Sequence, residues 1–305
     1  MTPRHRPTFQ PDWHRLKRKW DADRSGRRSP VTICIAAVCE HEGELAVVLC
    51  ADFQGTRGDY IKADDVHKLW YFYKRNGAIL FAGDPDTGRE FCRRYLLLER
   101  EFDALEKVKD DEDIRASEYL AKTKALVAKF RRERADDALR LKYSLGLDDL
   151  YAPNSATRFS SSLYGEMVEL VKTTDIGAEF IIAYTGDLQP IILRVAQNGD
   201  AWIEGSNYAA IGTGAPLAMA IFSQFENDGE YHTLPECLTW VQQAKKTAES
   251  NPYVGKATST GVLLKERAFK ISEEAWDVLM ETPGIPLVKV DQRLVKLGDK
   301  MFKEL

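Results

Sequence analysis

Apolar runs joined by short turns dominate the chain from residue 32 to residue 83. The first two runs, 32–41 and 44–52, meet at Glu42-Gly43, a two-residue turn that contains glycine. This arrangement predicts a β-hairpin. Because both runs are almost continuously apolar, we expect other layers of structure to cover both faces of the hairpin.

Two helices are predicted after Gly83, from apolar residues that recur at helical spacing. The first covers 84–108, with Asp86 or Thr87 as its N-cap, and the second covers 116–134. The positions predicted to face inward are Phe91, Tyr95, Leu98, Phe102 and Leu105 in the first helix and Tyr119, Leu120, Ala125, Leu126 and Phe130 in the second.

The second half of the chain returns to β structure. Residues 178–205 predict strands with turns at Gly186-Asp187 and Asn198-Gly199. The tripeptide Gly212-Thr213-Gly214 then separates a strand from a helix. Such a turn can cradle a phosphate, but the full dinucleotide-binding and P-loop patterns are absent. A further helix is predicted over 234–250, and the tail 276–305 ends in an amphipathic helix of unknown use.

Composition narrows the function classes. A net charge of -4 and a pI near 5.9 give no reason to expect nucleic-acid binding. The five cysteines lie mostly in apolar runs and indicate small buried residues in a reducing compartment. The sequence contains no apolar run of about 18 residues, and the five histidines show no metal-ligand spacing. We therefore expect a cytoplasmic protein with no membrane span, metal or cofactor.

Three polar residues interrupt the apolar stretch: Thr32, Asp52 and Lys68. A carboxylate and an ammonium near a buried sheet are costly unless they pair, and such pairs often mark a reaction site. Each residue also has an ordinary explanation. Thr32 can simply begin a strand, Asp52 can be a turn or cap residue, and Lys68 can be a surface lysine beside Trp70.

The spacing of these residues resembles that of the proteasome β-subunit family, in its bacterial proteasome-like branch. Asp52 and Lys68 lie sixteen positions apart, with Gly55-Thr56-Arg57-Gly58 between them and Phe81-Ala82-Gly83 after them. The resemblance runs from Thr32 to about Ser272. It implies the N-terminal-nucleophile hydrolase fold, which is of the α+β class, a four-layer αββα sandwich of two mainly antiparallel sheets.

The resemblance also implies roles for individual residues. Thr32 is the nucleophile, Asp52 the carboxylate beside it, and Lys68 the ammonium that tunes it. Gly83 supplies an oxyanion N–H, Thr213 places a hydroxyl beside the amine of Thr32, and Asn251 occupies the position of a family aspartate. The implied substrate contacts are Gly55, Thr56, Val66, Phe81 and Pro85.

The implied reaction is hydrolysis of a peptide or other amide by an N-terminal threonine. A threonine hydroxyl is a weak nucleophile unless a base takes its proton. A chain-terminal threonine carries its own base, because its α-amine has a pKa near 8. The ammonium of Lys68 would lower the pKa of that amine by like-charge repulsion. This mechanism requires that residues 1–31 be absent, since otherwise the amine is an amide.

The sequence departs from the family at two positions. Asn251 carries no charge where the family has aspartate, and Val254 cannot form a side-chain hydrogen bond where the family has serine. Two functions therefore stay open: a threonine-type hydrolase, or a catalytically silent proteasome-like subunit that acts in assembly or binding. The family also implies a homo-oligomeric ring, and an ATPase partner is an open question.

The resemblance leaves three segments outside the common pattern. Residues 1–31 are basic and aperiodic, and three interpretations remain: a disordered tail, a propeptide removed to expose Thr32, or a stretch upstream of a true start at Val31. Residues 136–175 are longer than the family's connection, and we expect an insertion, part helix and part loop. It either shapes a pocket rim or subunit contact, or is pinned to the body by Tyr143, Leu147 and Tyr151. The third segment is a C-terminal extension over 276–305, so that the predicted domain is 32–275.

Overall fold

The structure is a computed structural model of the full chain. Residues 1–31 and 273–305 lie outside the described residues, as do short internal segments. For residues 55–57, 61–63, 99–106 and 112–114 the backbone alone is described. The described ranges are 32–53, 55–57, 61–63, 66–72, 77–106, 112–185, 189–224, 230–251, 254–265 and 267–272.

Strands and helices alternate in blocks along the described part of the chain. The strands are β1 (Cys34–His41), β2 (Glu44–Asp52), β3 (Gly55–Arg57), β4 (Ile61–Ala63), β5 (Leu69–Tyr71), β6 (Gly77–Gly83), β7 (Ala178–Tyr184), β8 (Ile191–Val195), β9 (Ala201–Ile203), β10 (Tyr208–Ile211), β11 (Thr258–Leu263) and β12 (Ala268–Ile271). The helices are α1 (Pro85–Glu106), α2 (Glu112–Tyr143), α3 (Leu147–Leu150), α4 (Ser155–Arg158), α5 (Ser161–Thr173), α6 (Ala215–Phe222) and α7 (Leu234–Ala248).

Two five-stranded antiparallel sheets form the body. The first has the strand order β10-β1-β2-β11-β12, and the second has the order β5-β6-β7-β8-β9. Strands β3 and β4 pair separately as a short two-stranded ribbon. The expected α+β class with two mainly antiparallel sheets is confirmed.

Three apolar clusters separate the layers. One cluster lies between the first sheet and helices α6 and α7. A second contains residues of both sheets, for example Leu49 of β2 and Ile181 of β7, so the sheets pack face to face. A third lies between the second sheet and helices α1 and α2. The central strands are therefore covered on both faces, which explains why their sequences are almost continuously apolar.

The predicted β1–β2 hairpin is confirmed, with its turn at Glu42-Gly43. Both turn residues have positive φ, 53° and 82°, as a type I′ turn requires. The register pairs Cys34 with Ala51. This register brings the residues just before β1 close to the end of β2, where Asp52 lies.

Helix α1 begins at Pro85, ahead of both residues predicted as its N-cap. The carboxylate of Asp84 accepts a hydrogen bond from the backbone N–H of Thr87 at 2.8 Å, so Asp84 is the N-cap. The prediction of Asp86 or Thr87 was wrong because Pro85, which lacks an N–H and has a fixed φ, is well suited to the first helical position.

The segment 136–175 is more helical than predicted. Its first residues continue α2 as far as Tyr143, and three shorter helices follow. These helices bury a small core of their own. Tyr143 packs against this core and Leu147 lies inside it, whereas Tyr151 is 65% exposed. The residues of the small core are Ala135, Leu139, Leu147, Leu150 and Met167.

Most of the predicted inward positions of the first two helices are buried or partly buried. Phe91, Tyr95, Tyr119 and Phe130 are buried, and their neighbours at helical spacing pack against the same cluster. Ala125 is exposed, contrary to the prediction, because it lies on the side of α2 that is turned away from the buried Tyr119 and Phe130. The side chains of Phe102 and Leu105 lie outside the described residues.

The later β segments also agree with the pattern. Strands β8 and β9 are joined through Asn198-Gly199, where Gly199 has a φ of 92°. The predicted turn at Gly186-Asp187 lies outside the described residues.

The five cysteines are buried free thiols. Among the helices that the structure describes, none has the length and apolar character needed to cross a bilayer.

Gly88 of α1 marks a close approach of this helix to the second sheet. A Cβ built at Gly88 would lie 2.2 Å from the ring of Phe81 in β6, whereas one at the exposed Gly165 of α5 would meet nothing within 4 Å. We expect Gly88→Ala to destabilise the fold by about 1–3 kcal/mol through overpacking. Gly165→Ala should stabilise it by about 0.5–1 kcal/mol through helix propensity. Denaturant unfolding measures the change in unfolding free energy for each variant. Changes of the same sign in both variants would contradict the close packing of Gly88 against Phe81.

Candidate active site

Thr32, Asp52 and Lys68 meet in one hydrogen-bonded cluster. The Thr32 hydroxyl donates to Asp52 Oδ1 and accepts from the ammonium of Lys68. Lys68 Nζ also lies 2.6 Å from Asp52 Oδ1. The three functional groups therefore contact one another directly.

Each member of this cluster comes from a different place in the fold. Thr32 lies two residues before β1, and Asp52 is the last residue of β2, where its N–H donates to the carbonyl of Ile33 at 3.1 Å. Lys68 directly precedes β5 in the second sheet, and its carbonyl accepts the N–H of Phe81 at 3.2 Å. The cluster thus joins the two sheets at one end of the sandwich.

All three residues are buried. Thr32 is 0% exposed, Asp52 1% and Lys68 2%. A charge removed from water costs several kcal/mol unless it is paired and hydrogen-bonded. The ion pair between Lys68 and Asp52 is therefore a condition for this local structure, and the surface-lysine interpretation of Lys68 does not fit.

The carboxylate of Asp52 accepts hydrogen bonds on both oxygens. In addition to the contacts above, Oδ1 accepts a long bond from the N–H of Ile33 at 3.4 Å. Oδ2 accepts the N–H of Gly255 at 2.8 Å. Gly255 belongs to the loop between α7 and β11. That loop, which also contains the predicted site residue Asn251, therefore helps to fix the orientation of the carboxylate.

The Gly212-Thr213-Gly214 turn contacts the backbone of Thr32. The N–H of Thr32 donates to Thr213 Oγ1 at 3.3 Å, and the carbonyl of Thr32 accepts the N–H of Gly214 at 3.2 Å. Gly212 has a φ of 91°, and a Cβ there would lie 2.4 Å from the Thr32 carbonyl oxygen. The turn approaches Thr32 so closely that only glycine fits at position 212.

Asn251 lies on the far side of this turn. Its side-chain Nδ2 donates to the carbonyl of Thr213 at 3.3 Å. The predicted residues Thr32, Asp52, Lys68, Thr213 and Asn251 are thus linked in one network. Glu179 joins it as well, since its Oε2 accepts the N–H of Gly212 at 2.9 Å.

The other predicted residues lie around the second sheet. Gly83 ends β6 with a φ of +135°, and a Cβ there would lie 2.6 Å from a neighbouring carbonyl, so the position requires glycine. Val66, Phe81 and Pro85 are buried, and the Phe81 ring packs towards α1 rather than towards solvent. Gly55 and Thr56 lie in the β3–β4 ribbon.

Lys245 was not predicted to belong to the site, but it is 0% exposed and lies next to the same loop. Its Nζ lies 2.6 Å from the carbonyl of Gly255 and 2.5 Å from Glu249 Oε1. A signal was present, because Lys245 shares the buried face of α7 with Val241 and Ala248, four residues before it and three after it.

Cys34, two residues after Thr32, is the other potential nucleophile in this region. Its thiol donates to the carbonyl of Phe81 at 3.2 Å. Burial raises the pKa of the Cys34 thiol well above its usual range, and the opposing effect of Lys68 is smaller. Cys34 is therefore a neutral thiol at pH 7. In the described part of the chain, no group of three His, Cys, Asp or Glu side chains is arranged to bind a metal ion.

Comparison with protein-family models finds none that matches this chain. A comparison with curated protein sequences likewise finds no match.

Because Asp52 and Lys68 form a buried ion pair, we expect substitutions at the two positions to have strongly coupled effects on the unfolding free energy. Lys68→Met leaves the buried Asp52 carboxylate without its counter-charge and should cost about 3–5 kcal/mol of unfolding free energy. Adding Asp52→Asn should recover part of that loss, because the uncompensated charge is then absent. Urea unfolding of the wild type, both single variants and the double variant measures the coupling.

The exposed pair between Arg140 and Asp136 on α2 supplies the control. Solvent screens this pair, so Arg140→Met with Asp136→Asn should show far weaker coupling. Equal coupling in the two cycles would contradict the buried ion pair.

Burial of the cysteine thiols predicts that the folded chain resists alkylation. Burial raises the pKa of Cys50 to about 12, which leaves about one thiol in ten thousand ionised at pH 8. The native chain should therefore resist iodoacetamide at pH 8, whereas the chain in urea should be alkylated at all five cysteines. Intact-mass measurement counts the additions. Fast alkylation of Cys34 in the native chain would show a thiolate beside Thr32. That result would contradict the expectation that Thr32 is the nucleophile.

Proposed function

We propose that this protein is an N-terminal-threonine hydrolase of the proteasome-like, N-terminal-nucleophile type, which cleaves peptide or other amide bonds. The observation that carries the proposal is the buried contact of the Thr32 hydroxyl with both the Lys68 ammonium and the Asp52 carboxylate. Support also comes from the order of layers, helices on either side of two packed sheets.

The proposed reaction begins with the hydroxyl of Thr32. Its oxygen attacks the carbonyl carbon of the substrate while its proton passes to the α-amine of the same residue. The Lys68 ammonium beside the hydroxyl stabilises the negative charge that develops on the attacking oxygen. Asp52 supplies the counter-charge that lets an ammonium occupy this buried position.

The remaining steps release the products. The N–H of Gly83 is proposed to stabilise the tetrahedral oxyanion, a contribution of about 3–4 kcal/mol in well-formed sites. The carbon–nitrogen bond breaks, the leaving amine takes the proton, and an ester on Thr32 remains. Water then attacks the ester, releases the acid and restores the threonine hydroxyl.

The base in this scheme is available only when the nitrogen of Thr32 is a free amine. In the chain that begins at Met1 this nitrogen is a backbone amide, 3.3 Å from Thr213 Oγ1. Exposure of Thr32 as the first residue would convert it to an amine in the same surroundings. We propose that activity depends on this exposure, whether by cleavage after Val31 or by initiation there.

Val254 favours a second candidate function, a catalytically silent subunit that acts in assembly or binding. Its side chain is 5% exposed and belongs to the apolar cluster under the first sheet. It therefore provides packing where a hydroxyl would provide a hydrogen bond. For both candidates we propose a homo-oligomeric ring.

The nucleophile assignment predicts a specific pattern of activities. A chain that starts at Thr32 should hydrolyse fluorogenic peptides, and Thr32→Ala should abolish turnover because no hydroxyl remains. Thr32→Ser should keep part of the activity because it keeps both the hydroxyl and the amine. The chain that retains Met1 should be inactive.

Two controls separate the candidates. Thr260→Ala removes a threonine from β11 in the same sheet and should leave turnover unchanged, which excludes a general effect of losing a buried threonine. Intact mass of the native protein gives its first residue. Undiminished turnover by Thr32→Ala would reject the nucleophile, and an intact Met1 with no turnover by any form would favour the silent subunit.

A further inference from the structure

A second buried lysine lies behind the Asp52 carboxylate. Lys245 of α7 is 0% exposed, and its Nζ lies 2.5 Å from Glu249 Oε1 and 2.6 Å from the carbonyl oxygen of Gly255. Glu249 is one helical turn further along, so the ion pair fixes the lysine side chain along the helix. The third group in this contact, the Gly255 carbonyl, belongs to the loop beyond the helix.

Gly255 connects Lys245 to the proposed active site. Its carbonyl accepts from Lys245, while its N–H donates to Asp52 Oδ2 at 2.8 Å. Both polar groups of one residue are therefore engaged, on opposite sides of the loop. Because glycine has no side chain to restrict its rotation, these two hydrogen bonds set the direction of its N–H.

We propose that Lys245 is a positioning residue for hydrolysis at Thr32. It orients Gly255 so that the N–H of Gly255 holds Asp52 with its other oxygen, Oδ1, towards Thr32 and Lys68. This inference rests on the proposed function of the site. Lys245 contacts none of the reacting groups, and it acts through Gly255 and Asp52.

The geometry explains why the helix carries a charge on its buried face. Lys245 lies on the same face of α7 as Val241, Ala244 and Ala248, which are all apolar and buried. A leucine or methionine would pack there without a desolvation cost. The lysine is the residue whose ammonium reaches the Gly255 carbonyl, and losing it leaves the loop without that donor.

The first test measures geometry and does not depend on activity. Val254–Gly255 is the one Val–Gly step in the sequence, although the chain has 20 glycines. Labelling valine with ¹³C at the carbonyl and glycine with ¹⁵N therefore isolates the Gly255 amide in an NMR spectrum of the full chain. Lys245→Met should shift this resonance and speed its hydrogen exchange by at least about tenfold.

The second test measures catalysis under the conditions in which the wild-type chain hydrolyses a fluorogenic peptide. Lys245→Met should lower kcat by about tenfold to a hundredfold and change KM less than about twofold, because a small misplacement affects the transition state more than substrate binding. Lys246→Met makes the same chemical change one residue along α7. It should leave both the Gly255 resonance and kcat unchanged.

A charge-balanced variant separates positioning from stability. Lys245→Met alone leaves the Glu249 carboxylate, which is 14% exposed, without its ion-pair partner and should lower the melting temperature. Adding Glu249→Gln should restore much of that temperature but none of the lost kcat. Glu249→Gln alone retains the bond from Lys245 to Gly255 and should retain most of the activity.

The outcomes distinguish this inference from the proposed function. An unchanged Gly255 resonance in Lys245→Met overturns the positioning role, whatever the chain hydrolyses. A changed resonance with unchanged kcat also overturns it, as does recovery of kcat together with stability in the charge-balanced variant. If no form of the wild type hydrolyses an amide, the proposed function fails, while the NMR result still decides whether Lys245 orients Gly255.

Discussion

The buried carboxylate of Asp52 is the constraint on which the site depends. It receives hydrogen bonds from Thr32 and Ile33 just before β1, from Lys68 before β5, and from Gly255 in the loop after α7. A carboxylate with these partners is stable away from water, and one that loses them is not. The correct packing of two sheets and one loop is thus coupled to the geometry of a single side chain.

Packing accounts for the composition of the two segments beside Thr32. The Gly212–Gly214 turn approaches so closely that a Cβ at Gly214 would lie 2.9 Å from Cγ2 of Val254. Val254 in turn contacts the cluster under the first sheet. An apolar residue at this position strengthens the packing of the loop, and the loop then relies on hydrogen bonds of Asn251 and Gly255 for its orientation.

The sequence predicted the parts of this arrangement that depend on local chemistry. Glu42-Gly43 dictates a hairpin, and the hairpin places Thr32 and Asp52 side by side. The N-cap of α1 was misassigned because Pro85 moved the start of the helix. The helices of 136–175 share one small core, so no single segment shows a complete period. Lys245 and Gly255 come together only in the folded chain, and neither residue alone indicates the other.

Burial of Thr32 sets a requirement on any reaction there. A substrate carbonyl must come within about 3–3.5 Å of the attacking oxygen, yet Thr32 is 0% exposed in the chain that begins at Met1. Opening the site from the side of Asp52 or Lys68 would expose or separate a buried ion pair. The nitrogen of Thr32 is different, because within the described part of the chain it makes one hydrogen bond, of 3.3 Å to Thr213. A break in the chain at this nitrogen would leave the contacts of Asp52 intact and create the amine that the reaction needs.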